Sequence, residues 1–214
     1  MKDRSDDIKL SDRQLEFIIN YYRAKLIKQE VDKKRAISSN IIQDLGKVQL
    51  AKIDSSELSG VSTNKYILRT ISKIPKLLEL NQQDAIVYIG GLDKTSSIDF
   101  MTKSRSKWNK SSKYGSKQPT AYYRNGYVYI AECPQFMKFI NIEGIFADPR
   151  EVSRYNTADN VCYDISQDSY PISEYMIPVI NELVLSKEMA VFSQAIQDDV
   201  NDASTEIKNS NLQK

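Results

Sequence analysis

TAYYRNGYVYIAE, residues 120–132, is the stretch on which the reading of the fold turns. Asn125-Gly126 is the favoured pair for a two-residue type I′ turn, whose positive φ angles match the twist of the strands on either side. Tyr122, Tyr123, Tyr127, Val128, Tyr129 and Ile130 flank it with the aromatic and β-branched side chains that suit a pleated surface. The pattern predicts a β-hairpin, and similar segments surround it. Val48, Leu50 and Ile53 roughly alternate with Lys47, Gln49 and Lys52 in GKVQLAKID, a strand. KYILRTISKIP stops at Pro75, and DAIVYIGGLD is an apolar run closed by Gly90-Gly91. SSIDFMTK resumes the extended pattern, so a turn over Gly91–Ser96 predicts a second hairpin, with its glycines supplying backbone angles other residues resist. INIEGIFADPREV carries a further strand to Phe146, ended by Asp148-Pro149 because proline has no N–H and drives its predecessor out of the helical region.

Helical periodicity appears at both ends. Ser11 and Gln14 form an S-x-x-Q capping box, and Leu15, Ile18, Ile19, Tyr22 and Leu26 follow at i, i+3, i+4, i+7 and i+11. The helix ends near Lys34; about 22 residues give a rod of roughly 33 Å, long enough to serve its own core and a neighbouring subunit. Near the C-terminus, Ser173 is the expected cap of a helix in which Ile177, Ile180, Val184 and Val191 recur at helical spacing. The expected fold class is therefore α+β, with long N- and C-terminal helices packed together and an antiparallel β-rich region between them. The expected organisation is an N-terminal extension over 1–10 and a single domain over 11–196, with helices 11–34 and 173–196 and β-rich region 46–150; a polar arm follows over 197–214.

Composition narrows the chemistry. The 214-residue chain contains no histidine, which removes Ser-His-Asp and Cys-His catalysis and disfavours most transition-metal sites. Cys133 and Cys162 lack any paired spacing and read as free thiols. No apolar run approaches membrane-spanning length and the first residues are charged, so the expectation is a folded protein kept inside the cell, with no membrane partner. GGLDKTS fails as a phosphate loop, because Asp93 stands where the glycine before Lys94 belongs. The pairs Asp6-Asp7 and Asp198-Asp199 lack the glycine and alternating oxygen ligands of a calcium loop and read as solvated charge. No catalytic, cofactor-binding or metal-ligating set emerges, and no cofactor is expected.

One charge asymmetry stands out. Residues 103–124 hold seven basic side chains and no acidic ones; the remainder has 23 basic against 28 acidic, a balance of −5 beside the whole chain's +2. Lys103, Arg105, Lys107, Lys110, Lys113 and Lys117 are candidate nucleic-acid contacts, with Trp108 and Tyr114 between them able to stack on bases. The alternatives are a solvated basic loop and a surface for an acidic protein partner.

In order along the chain, SDRQLEFIINYYRAKLIKQE, LGKVQLAKIDSSEL, KYILRTISKIPKLL, TAYYRNGYVYI, NIEGIFADPREV and YPISEYMIPVINELVLSKEMAVFSQAIQDDVNDAS resemble the tail adaptor proteins of short-tailed bacteriophages. The resemblance is to the tail-tubular-protein-A type of head-tail connector and, within it, to the ring proteins of crAss-like phages. It implies a non-enzymatic structural virion protein, assembled in the host cytoplasm into a ring, dodecameric by that likeness. Identical subunits, the portal protein, other tail ring or nozzle proteins, and DNA passing through the channel without sequence-specific binding are the implied partners. Rings need two unlike patches that meet head to tail; Asp148, Arg150 and Glu151 at the charged corner, and Asp198 and Asp199 in the arm, are the candidate subunit-interface residues, the alternatives for the corner being a brace against the chain's own helices and an ordinary turn. The basic stretch matches no feature of that likeness, so a nucleic-acid-binding module is the alternative reading.

Overall fold

The computed structural model describes residues 11–54, 56, 66–81, 85–109, 118–131, 137–155 and 167–189. The chain divides into two compact units, Met1–Ile27 with Ile172–Lys214, and Lys28–Pro171.

The larger unit is built on β1 (Gln43–Asp54), β2 (Tyr66–Thr70), β3 (Ile86–Gly90), β4 (Asp99–Phe100), β5 (Thr120–Arg124), β6 (Tyr127–Ala131) and β7 (Phe139–Gly144). These form one seven-stranded sheet in the order β3-β7-β1-β2-β6-β5-β4. Its two outer strands meet across an isolated bridge between Gly90 and Ser97. The Gly91 N–H donates to Ser96 O at 3.1 Å and the Ile98 N–H to Ile89 O at 2.7 Å, which curls the sheet into a near-barrel. Leu45, Val48, Leu68, Ile89, Val128, Ile130, Ile140, Ile142 and Phe146 are among the buried residues of its core.

β1 holds the sheet together. Its first half pairs with β7 and its second half with β2, both antiparallel. Between Asp44 and Lys47 the register slips, and Gly46 there has φ 68°, the glycine bulge that adds one residue to a strand. Because side chains alternate with period two, the extra residue switches parity, and Leu45 before the bulge and Val48 after it both join the core.

The hairpin read from residues 120–132 is present: Arg124 pairs with Tyr127, and Asn125 and Gly126 have φ of 53° and 86°. Opposite Tyr122 lies Tyr129, their rings stacked at 5.3 Å between centroids and 8° between planes. The second expected hairpin is corrected. A turn does bring Gly90 to Ser97, but β4 then leaves β3 and pairs parallel with β5. A parallel neighbour requires a crossover. That connection contains α2 (Lys103–Asn109), so the stretch read as a basic loop begins as a helix. Neither Gly90 nor Gly91 adopts a positive φ; Lys94 does, at 55°. Gly90 is needed for space, since a Cβ there would sit 2.0 Å from Ser96 O.

The fold class expected from the sequence is also corrected. The protein is mainly this near-barrel sheet with small helices, not two long terminal helices packed around a β-rich middle. The capping box forms, with the Gln14 N–H donating to Ser11 Oγ at 3.3 Å and the Ser11 N–H to Gln14 Oε1 at 3.0 Å, and starts α1 (Asp12–Asp32). At its other end the Lys34 N–H donates to Val31 O and the Arg35 N–H to Glu30 O, with Lys34 at φ 57°, a Schellman ending without the usual glycine. On the C-terminal side, α4 is the eight-residue helix Met176–Leu183, which widens into a π-turn over Val184–Met189. Pro178 falls in the first turn, where its missing N–H is not needed, and Ser173 does not cap the helix: its hydroxyl is buried without a partner, and the N-cap is Tyr175 with no side-chain bond. In the smaller unit Tyr22, Ile180 and Val184 form a small buried cluster against which Ile18, Ile19, Leu26, Ile172 and Leu183 pack. Residues 190–196, expected to be helical, lie outside the described residues.

A left-handed backbone costs most residues about 1–2 kcal/mol, and asparagine tolerates it better than β-branched side chains. Gly46→Val is expected to lower unfolding stability by at least about 2 kcal/mol and Gly46→Asn by about 1 kcal/mol or less, read as urea midpoints by circular dichroism. Equal losses would show that φ at this position does not hold the bulge.

Candidate functional site

The charged corner after β7 is a helix start. α3 (Pro149–Tyr155) begins with Pro149, buried, at the first helical position, where its missing N–H is not needed. Asp148 caps it: the Arg150 N–H donates to Asp148 Oδ1 at 2.9 Å. The Arg150 guanidinium turns back on the same carboxylate, Nε to Oδ1 at 3.1 Å and Nη2 to Oδ2 at 2.9 Å. Burial alone would raise the Asp148 pKa, but the Arg150 bonds and the Arg150 and Arg154 charges outweigh it and hold the carboxyl below its usual range. Glu151 Oε2 accepts the Lys76 N–H at 3.0 Å, and the Ala147 N–H donates to Lys76 O at 2.8 Å. The helix so anchored places Val152 in the core, with Tyr155 packed against it and its phenol pushed up to about 12 by burial. Three candidate interface residues, Asp148, Arg150 and Glu151, thus meet in one place and are bonded within their own chain. Asp198 and Asp199 lie outside the described residues.

Of the candidate nucleic-acid contacts, Lys103 is half-buried and Arg105 exposed on α2, and Lys107 belongs to the same helix. Lys110, Lys113 and Lys117 lie outside the described residues. Thr102 begins α2 by accepting the Ser106 N–H at its carbonyl. Ser106 Oγ and Thr120 Oγ1, 2.9 Å apart and buried, fix the helix to β5. Trp108 is 78% exposed on it.

A further cluster escaped the sequence reading. In the turn that closes the sheet, Lys94 Nζ donates to Asp44 Oδ2 at 2.8 Å and to Glu143 Oε1. Those two hydrogen bonds, Asp44 first, raise the ammonium well above the ordinary lysine range. The other Asp44 oxygen accepts the Gly46 N–H at 2.7 Å and Asn141 Nδ2 at 2.8 Å, so one carboxylate joins the bulge, β7 and the closing turn. Tyr88 Oη donates to Ser96 O at 2.8 Å, and Asp93 binds the Thr95 hydroxyl. This is a clasp of paired charges with no nucleophile poised beside a base. Among the described residues, no three His, Cys, Asp or Glu side chains are grouped to hold a metal ion.

The remaining surface features are apolar. Phe17 and Tyr21, one helical turn apart on α1, are 69% and 58% exposed, and Tyr175, Ile177 and Leu185 are exposed around α4. The larger unit also has a groove of about 380 Å³, floored by Leu77, Leu80, Phe100, Met101 and Tyr123.

The charged corner is bonded within its own chain, and aromatic side chains are left exposed on α1. Residues 1–210 match the CrAss_Ring_2 family, phage tail ring protein 2. The chain belongs to this family. No curated protein matches it. Membership makes it a structural component of a crAss-like phage tail, and among the described residues no helix is long and apolar enough to cross a membrane.

Asp148 titrates below its unfolded value, so its stabilisation is complete above about pH 3.9, the unfolded carboxylate value, and is lost as pH falls through the folded-state value. Asp148→Ala should cost about 1 kcal/mol at pH 7, as N-cap losses do, and the gap from the parent chain should close as pH drops below 4 in urea titrations followed by fluorescence. A gap that persists undiminished at pH 2 would assign the loss to packing instead.

Proposed function

We propose that copies of this chain assemble head to tail into a ring, twelve-membered by its family likeness, that joins the portal vertex to the tail and extends the DNA channel. The observation that carries this reading is the exposed apolar surface of the smaller unit, Phe17 and Tyr21 with Tyr175, Ile177 and Leu185. Large apolar side chains left in water, such as Phe17 and Tyr21 one helical turn apart, mark contact surfaces, and a ring needs such a surface to meet a different one on the next copy. The portal protein and other tail ring or nozzle proteins are its axial neighbours. DNA passes through without sequence-specific recognition. The chain acts without turnover of a substrate and resides in the virion after assembly in the host cytoplasm.

Electron microscopy of the purified full chain, alone and with its portal, is expected to show closed rings. Phe17→Ser with Tyr21→Ser should shift the population to smaller species at unchanged helix and sheet signal by circular dichroism, because exposed substitutions alter folding by about 0.5 kcal/mol or less. A parent chain that stays monomeric at high concentration and with portal present overturns the reading.

A further inference from the structure

The groove of the larger unit lies where the near-barrel is least closed. β3 and β4 touch at one bridge and then diverge, β4 turning to β5. The wedge between Ala85, just before β3, and Phe100 and Met101 on the β4 side opens into the 380 Å³ groove. Apolar side chains floor it, and Tyr123 lines it while 37% exposed. Two basic residues, Lys76 and Lys103, line its rim. One acid shares the rim, Glu79, whose carboxylate is 4.0 Å from Lys76 Nζ. The stretch 103–124, which supplies α2 and β5, has seven basic residues and no acidic one.

The chain itself contains a segment of the opposite character. The described residues end at Met189, and 25 more follow, enough to reach about 80 Å when extended. Residues 190–207 contain Asp198, Asp199, Asp202 and Glu206 and no basic residue. Phe192, Ile196, Val200, Ala203 and Ile207 recur through them at i, i+4, i+8, i+11 and i+15, the spacing by which an apolar stripe enters a hydrophobic groove.

We propose that the groove between β3 and β4 receives residues 190–207 of a neighbouring copy, apolar stripe on the floor and acids toward the basic rim. The proposal rests on the ring reading for its choice of a neighbour, since head-to-tail assembly brings one surface of each copy to a different surface of the next. It gives Asp198 and Asp199 a definite counterpart, and it makes α2 a protein-docking element whose charge is met by carboxylates.

The test uses the full-length chain with p-benzoylphenylalanine in place of Tyr123 and, in a second preparation, in place of Thr102, exposed on the same rim. Light and isotopically heavy chains are mixed before assembly, irradiated, and analysed by mass spectrometry. The expected product joins position 123 or 102 to residues 190–207 in mixed-isotope pairs, and Lys76→Glu with Lys103→Glu lowers its yield roughly two- to fivefold, the range for exposed charge pairs. Rings whose cross-links reach other segments overturn this proposal and leave the ring reading standing. Cross-links to 190–207 only in same-isotope pairs assign the groove to the chain's own terminus and overturn it equally. Absence of rings, with no mixed-isotope product, removes both.

Discussion

A single backbone distortion organises the larger unit. β1 must run long enough to pair with β7 and then with β2 while offering one continuous face to the core, and a regular strand crossing that corner would turn Leu45 or Val48 to the wrong side. Gly46 resolves the conflict by accepting a left-handed φ. Asp44 then makes the distortion specific, because its carboxylate holds the Gly46 N–H, the Asn141 amide and the Lys94 ammonium together. Exposed ion pairs contribute little individually, about 0–1 kcal/mol. The position of this one matters more than its strength, since it ties the bulge to the turn across which the sheet closes.

Local chemistry was legible in the sequence and long-range chemistry was not. The Asn125-Gly126 turn and the Ser11–Gln14 box depend on residues two or three apart, and both form as read. The clasp links Lys94 to Asp44 and Glu143 across 50 and 49 positions, and no spacing rule reaches that far. The helical ends misled for a physical reason. Ile180 and Val184 do pack with Tyr22, but the unpaired Ser173 hydroxyl shows how little the local sequence does to start α4. Its backbone widens into a π-turn after only eight residues. The weight of the fold lies instead in strands whose pairing partners are scattered along the chain. Of the candidate site residues, Asp148, Arg150 and Glu151 are brought together, while the basic series is described only at its helical beginning.

The DPRE corner shows why charge at a turn is a weak pointer to a partner. Asp148 caps α3 and pairs with Arg150, and Glu151 holds the backbone at Lys76. All three charges are used to fasten a short helix over the end of a core that includes Phe146 and Val152. Apolar side chains left in water are the stronger sign of contact in a tail ring family member, and Phe17 and Tyr21 are both mostly exposed.

The bridge from Gly90 to Ser97 has one more consequence. Open sheets end in rows of unpaired amides that zip onto any similar edge nearby, a route to fibres wherever one protein is crowded against itself. Curling the two outermost strands together removes much of that invitation. Whatever lies beside this chain must then recognise it through the shape and polarity of its flanks, which can be made selective, and not through the generic stickiness of bare backbone.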